Sequence, residues 1–485
     1  MAHYDLIIIG GGPAGYISAE RAGARGKKVL LVEHGQIGGV CLNEGCVPTK
    51  TLLYSSKLYH QARNSQTFGV TANGVQYDLI AAMAHKAKTI KALQKGILAQ
   101  LKHHSVEIRN ATASFLGPGR VTVDGEEHSS EYVLLATGSR AIRPPIPGTK
   151  DHPAVLTSSE ALELSKLPNR LVIVGGGYIG MEFASFFAAV GTKVTVVEMT
   201  DEIIPMLEPT VAEALRKQIP DVEYKLGHRV TEVSGGADRS GTVQVAVTPA
   251  DRSGGDSSTV TIDTDLVLLA AGRAPNVEGA GFDAAGLDYD RSGVTVDEYM
   301  QTNLPGVYAA GDVTGKILLA HAAYRMGEVA VAHMFREDAT ATAAGSPSPA
   351  TGAAAAAGRS IWPNRMRYHA IPWVVFTSPE VAGCGFNPTE AADAGYDAIS
   401  ETLPLQVSGR YLAEHPRERG TVTIVADRAT RRLLGVQMLG SGVGEIIHSA
   451  SAMIEQELRI EDIREVVFPH PTVSEALRDA AWAIQ

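Results

Sequence analysis

The chain has 485 residues, 45% of them hydrophobic and 20% charged, and a formal net charge of −10. This length predicts two to four domains, and the composition is that of a soluble enzyme. The acidic balance argues against a nucleic-acid or anionic-membrane partner, so we expect small-molecule chemistry. No basic segment precedes the first apolar run, and no stretch reaches the roughly 18 apolar residues of a membrane span, which predicts a cytoplasmic protein.

The first predicted elements form a βαβ unit, DLIIIGGGPAGYISAERAGARGKKVLLVE, over residues 5–33. The same pattern returns without a gap 165 residues later, as RLVIVGGGYIGMEFASFFAAVGTKVTVVE over residues 170–198. In each copy a β-branched run predicts a buried strand, glycines predict a turn, a helical pattern follows, and a second strand ends on an acid. The repeat therefore predicts an α/β fold with two Rossmann-like units.

Each unit carries three glycines in the spacing GxGxxG. In this motif the first glycine permits a tight turn, the second lets a pyrophosphate approach the backbone, and the third lets the helix pack on the strand. Such turns also occur without a ligand, but here each copy also has an acid 18 residues past the third glycine, where a carboxylate can accept ribose hydroxyls. The residues are Gly10, Gly12, Gly15 and Glu33 in the first copy and Gly175, Gly177, Gly180 and Glu198 in the second.

The second copy also predicts the choice of coenzyme. Glu198 is followed by MTDEI, with no arginine nearby in the sequence. A 2′-phosphate at this place would meet like charge and no cation, so the site is expected to take NAD rather than NADP.

Between the repeats lies GGVCLNEGCVPTK, residues 38–50, with two of the chain's three cysteines. In a regular helix residues five apart are about 7.5 Å apart along the axis, which exceeds the reach of a disulfide, so a Cys41–Cys46 bond requires a distorted turn that Gly45 makes easier. Such a strained bond is readily reduced, which favours a redox pair. Two buried thiols remain an alternative, whereas zinc lacks two of its four ligands and a structural bridge over so short a loop removes little chain entropy.

GGVCLNEGCVPTK closely resembles the cysteine signature of the flavoprotein disulfide reductases. Four further motifs match that family in order: LLATGS at 134–139, LLAAGRAPN at 268–276, VYAAGD at 307–312 and HPTVSE at 470–475. Within the family, LLAHAA, SGR at 408–410 and FPHPTVSE are most similar to the dihydrolipoamide-oxidising branch. Thr49 and Ala322 depart from the pattern, which has serine more often at the first position and lysine at the second.

The resemblance implies FAD and NAD as cofactors and a homodimer. It implies a FAD-binding domain at 1–149, an NAD-binding domain at 150–275, a central domain at 276–337 that completes the FAD site, and a C-terminal α+β dimerisation domain at 361–485. By match to the motifs, Asp312 would hold the flavin ribityl chain, and Lys50 would lie beside the flavin ring, paired with Glu182. The remaining implied cofactor contacts are Thr137, Gly138, Gly272 and Arg273.

The resemblance also implies catalytic residues. The pair Cys41 and Cys46 would take electrons from a dithiol, and His470, oriented by Glu475, would take the thiol proton. No metal is expected. Local chemistry offers a second interpretation of HPTVSE, because Thr472 followed three residues later by Glu475 is a capping box before a helical pattern. Lys50 and Asp312 likewise have ordinary alternatives, as a surface lysine and a turn residue.

The implied activity is oxidation of protein-bound dihydrolipoamide to lipoamide, with NAD as the electron acceptor. The partner would be a lipoyl-bearing protein of a 2-oxo acid dehydrogenase complex or of the glycine cleavage system. The alternative is another NAD(P)H-dependent reductase of the family that acts on a different disulfide. Residues 338–360 are rich in Ala, Gly, Ser and Pro and predict a flexible insertion. Cys384, the third cysteine, is expected to be a small buried residue.

Overall fold

The computed structural model describes residues 2–219, 221–236, 241–251, 258–336 and 365–485. The predicted insertion at 338–360 lies outside these residues. The chain forms two compact units, each built from three segments. The first unit comprises Met1–Asn43, Ile90–Arg140 and Arg273–Arg367. The second comprises Glu44–Thr89, Ala141–Gly272 and Tyr368–Gln485.

Helices and strands alternate along most of the described chain. The helices are α1 (Pro13–Gly23), α2 (Gly39–Asn43), α3 (Cys46–Arg63), α4 (Leu79–His103), α5 (Ser158–Ala161), α6 (Tyr178–Ala189), α7 (Pro209–Gln218), α8 (Phe282–Ala285), α9 (Ala320–Met334), α10 (Pro388–Asp393), α11 (Gly409–Glu414), α12 (Val443–Glu455), α13 (Ile460–Glu465) and α14 (Glu475–Ala483). Short 3₁₀ turns occupy Ser65–Phe68, Asp312–Thr314 and Leu405–Val407.

The strands gather into several sheets. They are β1 (His3–Ile9), β2 (Val29–Glu33), β3 (Glu107–Asn110), β4 (Ala113–Gly117), β5 (Arg120–Val123), β6 (Glu126–Leu135), β7 (Ser139–Ala141), β8 (Val155–Thr157), β9 (Arg170–Val174), β10 (Lys193–Val197), β11 (Val222–Lys225), β12 (His228–Gly235), β13 (Val243–Pro249), β14 (Val260–Thr264), β15 (Leu266–Leu269), β16 (Arg273–Pro275), β17 (Tyr289–Asp290), β18 (Gly293–Val294), β19 (Val307–Ala309), β20 (Trp373–Val375), β21 (Val381–Gly385), β22 (Ala398–Pro404), β23 (Thr421–Asp427) and β24 (Leu433–Leu439).

The first unit is built on a seven-stranded sheet in the order β3-β2-β1-β6-β5-β4, with β19 also paired to β6. Strands β1, β2, β3 and β19 are parallel to their neighbours, whereas β4, β5 and β6 form an antiparallel meander. The β-branched run of β1 is buried because helices cover such parallel strands. The hydrophobic core of the first unit also includes Phe115, Phe282 and Val307.

The second unit holds a parallel five-stranded sheet in the order β11-β10-β9-β15-β8, which contains the second repeat. A three-stranded antiparallel sheet, β12-β13-β14, packs into the same core cluster through Val233 and Val245. The C-terminal part of this unit is a separate five-stranded antiparallel sheet in the order β20-β21-β24-β23-β22. Helices α12, α13 and α14 contribute to its core.

The mixed sheet of the first unit, the parallel sheet of the second and the C-terminal antiparallel sheet with its helices confirm the predicted fold class, α/β with two Rossmann-like units and a C-terminal α+β region. Each repeat folds as predicted: a buried strand, a helix that begins after the glycine turn, and a second parallel strand. In the described part of the chain, no helix combines the length and apolarity needed to cross a membrane.

Candidate active site

The first glycine turn leaves room at the start of α1. Gly10 has a φ of +107°, and a Cβ there would lie 2.2 Å from the Ala136 carbonyl oxygen. A Cβ on Gly15 would lie 1.8 Å from the Gly10 carbonyl oxygen, so both positions exclude any side chain. A Cβ on Gly12 would meet only the Gly39 Cα at 3.8 Å among the described atoms. The turn is therefore tight on its protein side and open beside the helix N-terminus, where a pyrophosphate binds in this motif.

The second turn repeats this geometry in the other unit. Gly175 has a φ of +109°, and its Cβ would lie 2.5 Å from the Ala270 carbonyl oxygen. A Cβ on Gly180 would lie 2.0 Å from the Gly175 carbonyl oxygen. Around Gly177, no heavy atom of the described chain comes within 4 Å of an added Cβ. Both turns thus fit a dinucleotide by the same steric criterion.

The acid that ends each repeat is held by backbone groups. Glu33 Oε2 accepts a hydrogen bond of 2.6 Å from the Gly11 N–H, and Glu198 Oε2 accepts one of the same length from the Gly176 N–H. The other oxygen of Glu198 accepts from the N–H and hydroxyl of Thr200, at 2.9 and 3.0 Å. Each carboxylate is therefore anchored beside its glycine turn, where a ribose is expected.

The fold brings an arginine to the second repeat that the sequence order did not reveal. Arg216, on α7, donates to both carboxylate oxygens of Glu202 at 2.5 and 2.7 Å, and its guanidinium lies 5.6 Å from the Tyr224 ring centre. Such a bidentate pair occupies the planar guanidinium. The neighbouring Glu202 therefore neutralises the charge of Arg216.

The cysteine segment breaks between two helices. Cys41 lies in α2 and belongs to the first unit, whereas Cys46 begins α3 and belongs to the second. Gly45, with φ −143° and ψ −102°, departs from helical geometry between them. Both cysteines are half-buried. Cys46 therefore stands at the positive end of an 18-residue helix, a place that stabilises a thiolate.

Lys50 and Glu182 are joined as the resemblance implies. The Lys50 ammonium lies 2.8 and 2.7 Å from the two oxygens of Glu182, whose side chain is 7% exposed. Phe376, which the sequence did not suggest, donates its backbone N–H to Glu182 Oε1 at 3.1 Å. Its ring centre lies 4.8 Å from the Lys50 ammonium, close enough for a cation–π contact. Two groups thus fix Glu182, and two fix Lys50.

Asp312 is part of a hydrogen-bonded chain in the first unit. The Ser139 hydroxyl donates to Asp312 Oδ2 at 2.5 Å, and Arg273 donates to that hydroxyl and to the Ser139 carbonyl at 2.8 and 2.7 Å. Burial raises the pKa of Asp312 above its ordinary value, and the Ser139 bond and the Arg273 charge oppose this. Ser139 is a residue that sequence reasoning missed, although it directly follows Gly138.

The remaining predicted cofactor contacts, Thr137, Gly138 and Gly272, lie in loops. Asn276 donates its side-chain N–H to the Thr137 carbonyl at 2.9 Å and its backbone N–H to the Gly138 carbonyl at 2.9 Å, which fixes the turn after β6. Gly272 belongs to the second unit, where it has a φ of +97° and its carbonyl accepts from the Ile142 N–H at 3.0 Å.

His470 and Glu475 form a directed pair. Oε1 of Glu475 lies 2.9 Å from His470 Nδ1, and Oε2 accepts from the Thr472 N–H at 2.9 Å. The Thr472 N–H, His470 and Arg478 together hold the pKa of Glu475 below its usual range. An ionised carboxylate accepts only, so Nδ1 carries a proton, and Nε2 is the nitrogen left to exchange a proton with a substrate. The His470 side chain is 79% exposed, and Nε2 can therefore act as a base.

The capping-box interpretation of HPTVSE is half right. The Thr472 N–H donates to the Glu475 carboxylate as that box requires, but the Thr472 hydroxyl donates to the Pro469 carbonyl instead of accepting from the Glu475 N–H. Helix α14 begins at Glu475, with Ser474 before it. One carboxylate thus holds the loop with one oxygen and the imidazole with the other.

Residues 4–327 match the family described as pyridine nucleotide-disulphide oxidoreductase. The chain belongs to this family. Residues 371–481 match its dimerisation domain, which supports a homodimer. Family membership makes the protein an oxidoreductase and implies FAD and NAD as its cofactors. The two glycine turns, open at Gly12 and Gly177, fit these two dinucleotides.

Several known proteins are similar to this chain over nearly its whole length. Mitochondrial dihydrolipoyl dehydrogenase from Pisum sativum is 34% identical, over 99% of this chain and 91% of that protein. Dihydrolipoyl dehydrogenase from Bacillus subtilis is 33% identical, over 98% and 97%. The solved structure of the HOCl-induced flavoprotein disulfide reductase RclA from Escherichia coli matches with a TM-score of 0.82 and 26% identity, over 99% of this chain and 100% of that one.

Proposed function

We propose that this oxidoreductase is a dihydrolipoamide dehydrogenase that oxidises protein-bound dihydrolipoamide to lipoamide and reduces NAD⁺. The observation that carries the proposal is the His470–Glu475 pair, whose exposed ring keeps Nε2 as a proton acceptor. A reductase that starts from a dithiol needs such a base, because the thiolate and not the thiol attacks a disulfide. Similarity to two dihydrolipoyl dehydrogenases over nearly the whole chain adds support.

The reaction begins at the substrate dithiol. His470 Nε2 takes the proton of one thiol, and the resulting thiolate attacks Cys41 Sγ of an oxidised Cys41–Cys46 pair. The bond between the two cysteines breaks, and Cys46 leaves as a thiolate. Its place at the start of α3 favours this step, because the positive end of the helix stabilises the departing thiolate.

The second half of the exchange releases the product. The other substrate thiol attacks the substrate sulfur that is bound to Cys41, and its proton passes to the departing Cys41 sulfur. Lipoamide leaves with its new S–S bond, and both cysteines are reduced, so that two electrons have passed to the protein. Bound FAD supplies the chemistry that passes this electron pair on to NAD⁺ as a hydride.

The residues proposed to hold FAD lie around the first glycine turn, together with Glu33, Asp312 and the loop after β6. Lys50, fixed by Glu182 and Phe376, places a positive charge where the resemblance implies the flavin ring. The second turn would hold NAD, with Glu198 anchored to accept the ribose hydroxyls. Because Arg216 is occupied by Glu202, we propose NAD rather than NADP as the coenzyme.

The proposed partner is a lipoyl-bearing protein of a 2-oxo acid dehydrogenase complex or of the glycine cleavage system. We also propose that each active site is shared across the homodimer, with Cys41 and Cys46 from one subunit and His470 and Glu475 from the other. In a twofold dimer the same surface faces its own copy, so the two sites are equivalent.

A second candidate is a reductase of the same family that uses NAD(P)H to reduce a different disulfide. The likeness to RclA, a flavoprotein disulfide reductase, favours this alternative. The base and the cysteine pair serve both directions of thiol exchange, so substrate preference separates the two candidates.

Counting thiols tests the proposal. The chain has three cysteines, so oxidised holoenzyme unfolded in denaturant should show one reactive thiol, that of Cys384, and three after one equivalent of dihydrolipoamide under anaerobic conditions. A Cys41→Ser variant should show two thiols before and after, and a Cys384→Ser variant should show zero and then two. Unchanged thiol counts in the wild type would refute the proposal.

A further inference from the structure

The loop that carries His470 is tied to a distant helix by one buried hydroxyl. Ser408 is 2% exposed, and its hydroxyl donates to the Thr472 carbonyl at 2.9 Å. Thr472 is the residue whose own N–H donates to Glu475 Oε2. Both backbone groups of Thr472 are therefore held: its carbonyl by Ser408, and its N–H by the carboxylate that orients His470.

Ser408 is itself fixed in place. It precedes α11, and its oxygen accepts a hydrogen bond from the Tyr411 N–H at 3.3 Å, as an N-cap residue does. Tyr411 is fully buried and donates its hydroxyl to Glu418. Glu418 also accepts from the N–H and hydroxyl of Ser441, at 2.5 and 2.9 Å, at the end of β24. The Ser408 hydroxyl thus accepts a hydrogen bond from the Tyr411 N–H, which belongs to this buried network, and donates one to the Thr472 carbonyl in the loop.

The His470 ring has little else to hold it. Its side chain is 79% exposed, and Glu475 is the contact that directs it. Glu475 begins α14, and its N–H lies 3.4 Å from the same Thr472 carbonyl that Ser408 binds. A shift of the peptide at Thr472 would therefore change both the position of the carboxylate and the angle of the imidazole. A displacement of about 1 Å at a catalytic group can cost about a hundredfold in rate.

We infer that Ser408 is a positioning residue for the base, acting through Thr472 and Glu475 on His470. This inference rests on the proposed function, since it assigns Ser408 to the proton transfer that opens dithiol oxidation. Removal of the hydroxyl leaves the Thr472 carbonyl with only the longer contact to the Glu475 N–H, and the loop can then move. The ring then spends less time in the orientation in which Nε2 meets the substrate thiol.

The test compares two activities of the same holoenzyme. Dihydrolipoamide oxidation with NAD⁺ needs the base, whereas NADH oxidation by ferricyanide does not need substrate deprotonation. Ser408→Ala should lower kcat/KM for dihydrolipoamide at least tenfold and leave the ferricyanide activity within twofold of wild type. Ser408→Thr, which keeps a hydroxyl, should recover most of the loss.

A matched control comes from Ser451, whose hydroxyl donates to the Ala370 carbonyl at 2.6 Å in the same unit. Ser451→Ala should leave both activities within twofold of wild type. In a His470→Gln background, Ser408→Ala should cause no further loss of dihydrolipoamide oxidation, because the residue acts through the histidine.

Three results would overturn the inference: a loss below twofold in Ser408→Ala, an equal loss of both activities, or a full additional loss in the His470→Gln background. Failure of the proposed function is a different result, since it would appear in the wild type as an inability to oxidise dihydrolipoamide.

Discussion

Glu475 Oε1 lies 2.9 Å from His470 Nδ1, while the other oxygen of this carboxylate holds the backbone of the loop between them. The pair resembles the arrangement in which a carboxylate fixes the tautomer of a catalytic imidazole. Within the single chain the His470 side chain is 79% exposed, so Glu475 is the contact that orients the ring.

Glu475→Gln should therefore impair the base without unfolding the loop. The amide oxygen can still accept from the Thr472 N–H, but the negative charge that stabilises the protonated ring is gone. We expect kcat/KM for dihydrolipoamide to fall about 10- to 100-fold, because the base itself remains and only part of the roughly 100- to 10,000-fold contribution of general acid–base catalysis is lost. Ferricyanide activity should be unchanged, and wild-type rates with dihydrolipoamide would contradict the assignment.

The same variant has a defined effect on pH-dependent stability. The pKa of Glu475 is lowered in the folded protein, so its contribution is present above the ordinary value near 4.5 and is lost as the pH falls through the folded value. Glu475 stays ionised above pH 5.5, so the difference in melting temperature between wild type and Glu475→Gln should persist from pH 5.5 to 8 and should shrink below pH 4.5. A difference that does not shrink below pH 4.5 would contradict this assignment.

Coenzyme choice follows from Glu198 and from the pairing of Arg216 with Glu202. Wild-type enzyme should prefer NAD⁺ over NADP⁺ at least tenfold in kcat/KM, which is about 1.4 kcal/mol. Glu202→Gln frees Arg216 and should raise kcat/KM for NADP⁺ severalfold. Glu213→Gln, which frees Lys217 on an exposed part of the same helix, is the control and should change neither coenzyme. Equal kcat/KM values for NAD⁺ and NADP⁺ in the wild type would contradict the proposed preference for NAD⁺.

Flavin retention should depend on Arg273 through Ser139. Arg273→Gln removes the two hydrogen bonds that hold Ser139 against Asp312, so the dissociation constant of FAD from apoprotein should rise about tenfold, or about 1.4 kcal/mol. Titration of apoprotein with FAD, followed by fluorescence, measures this. The control is Arg140→Gln, an exposed arginine that contacts the Pro275 carbonyl. Equal FAD affinity in both variants would separate Arg273 from the flavin site.

Mixed dimers test the shared active site. Cys46→Ala and His470→Ala subunits should each be nearly inactive alone. After random reassortment half the dimers are mixed, each with one intact site of two, so about a quarter of wild-type activity should return. If mass measurement confirms that subunits have exchanged and no activity returns, each site is built within one chain.

Local sequence patterns predicted the parts of the site that lie close together in the chain. The glycine turns and the acids Glu33 and Glu198 belong to single βαβ units, whose hydrophobic and glycine spacing fixes their geometry. A distorted turn was predicted as the condition for a Cys41–Cys46 bond, and the backbone at Gly45 does depart from helical geometry. The fold class could be predicted for the same reason, because the repeat contains its own strands, turn and helix.

Contacts between distant segments were beyond such patterns. Ser139 and Asp312 are 173 residues apart, and Glu182 and Phe376 are 194 apart. Hydrophobic periodicity predicts which face of a helix or strand is buried, but it does not predict which backbone N–H will bind a buried carboxylate. Ser408 was visible in the SGR motif, but only the folded chain shows that its hydroxyl reaches Thr472. The capping role of the Thr472 hydroxyl was misjudged, because this hydroxyl binds the Pro469 carbonyl instead of accepting from the Glu475 N–H.

The most direct test of the central claim is substrate preference in steady state. Purified holoenzyme should be assayed with NAD⁺ and NADP⁺ against dihydrolipoamide, and in the reverse direction with NADH and NADPH against lipoamide, glutathione disulfide and other small disulfides. We expect the highest kcat/KM with dihydrolipoamide and NAD⁺ and loss of this activity in Cys41→Ser. A wild-type enzyme that reduces another disulfide with NAD(P)H but does not oxidise dihydrolipoamide would contradict the proposed function and favour the alternative reductase.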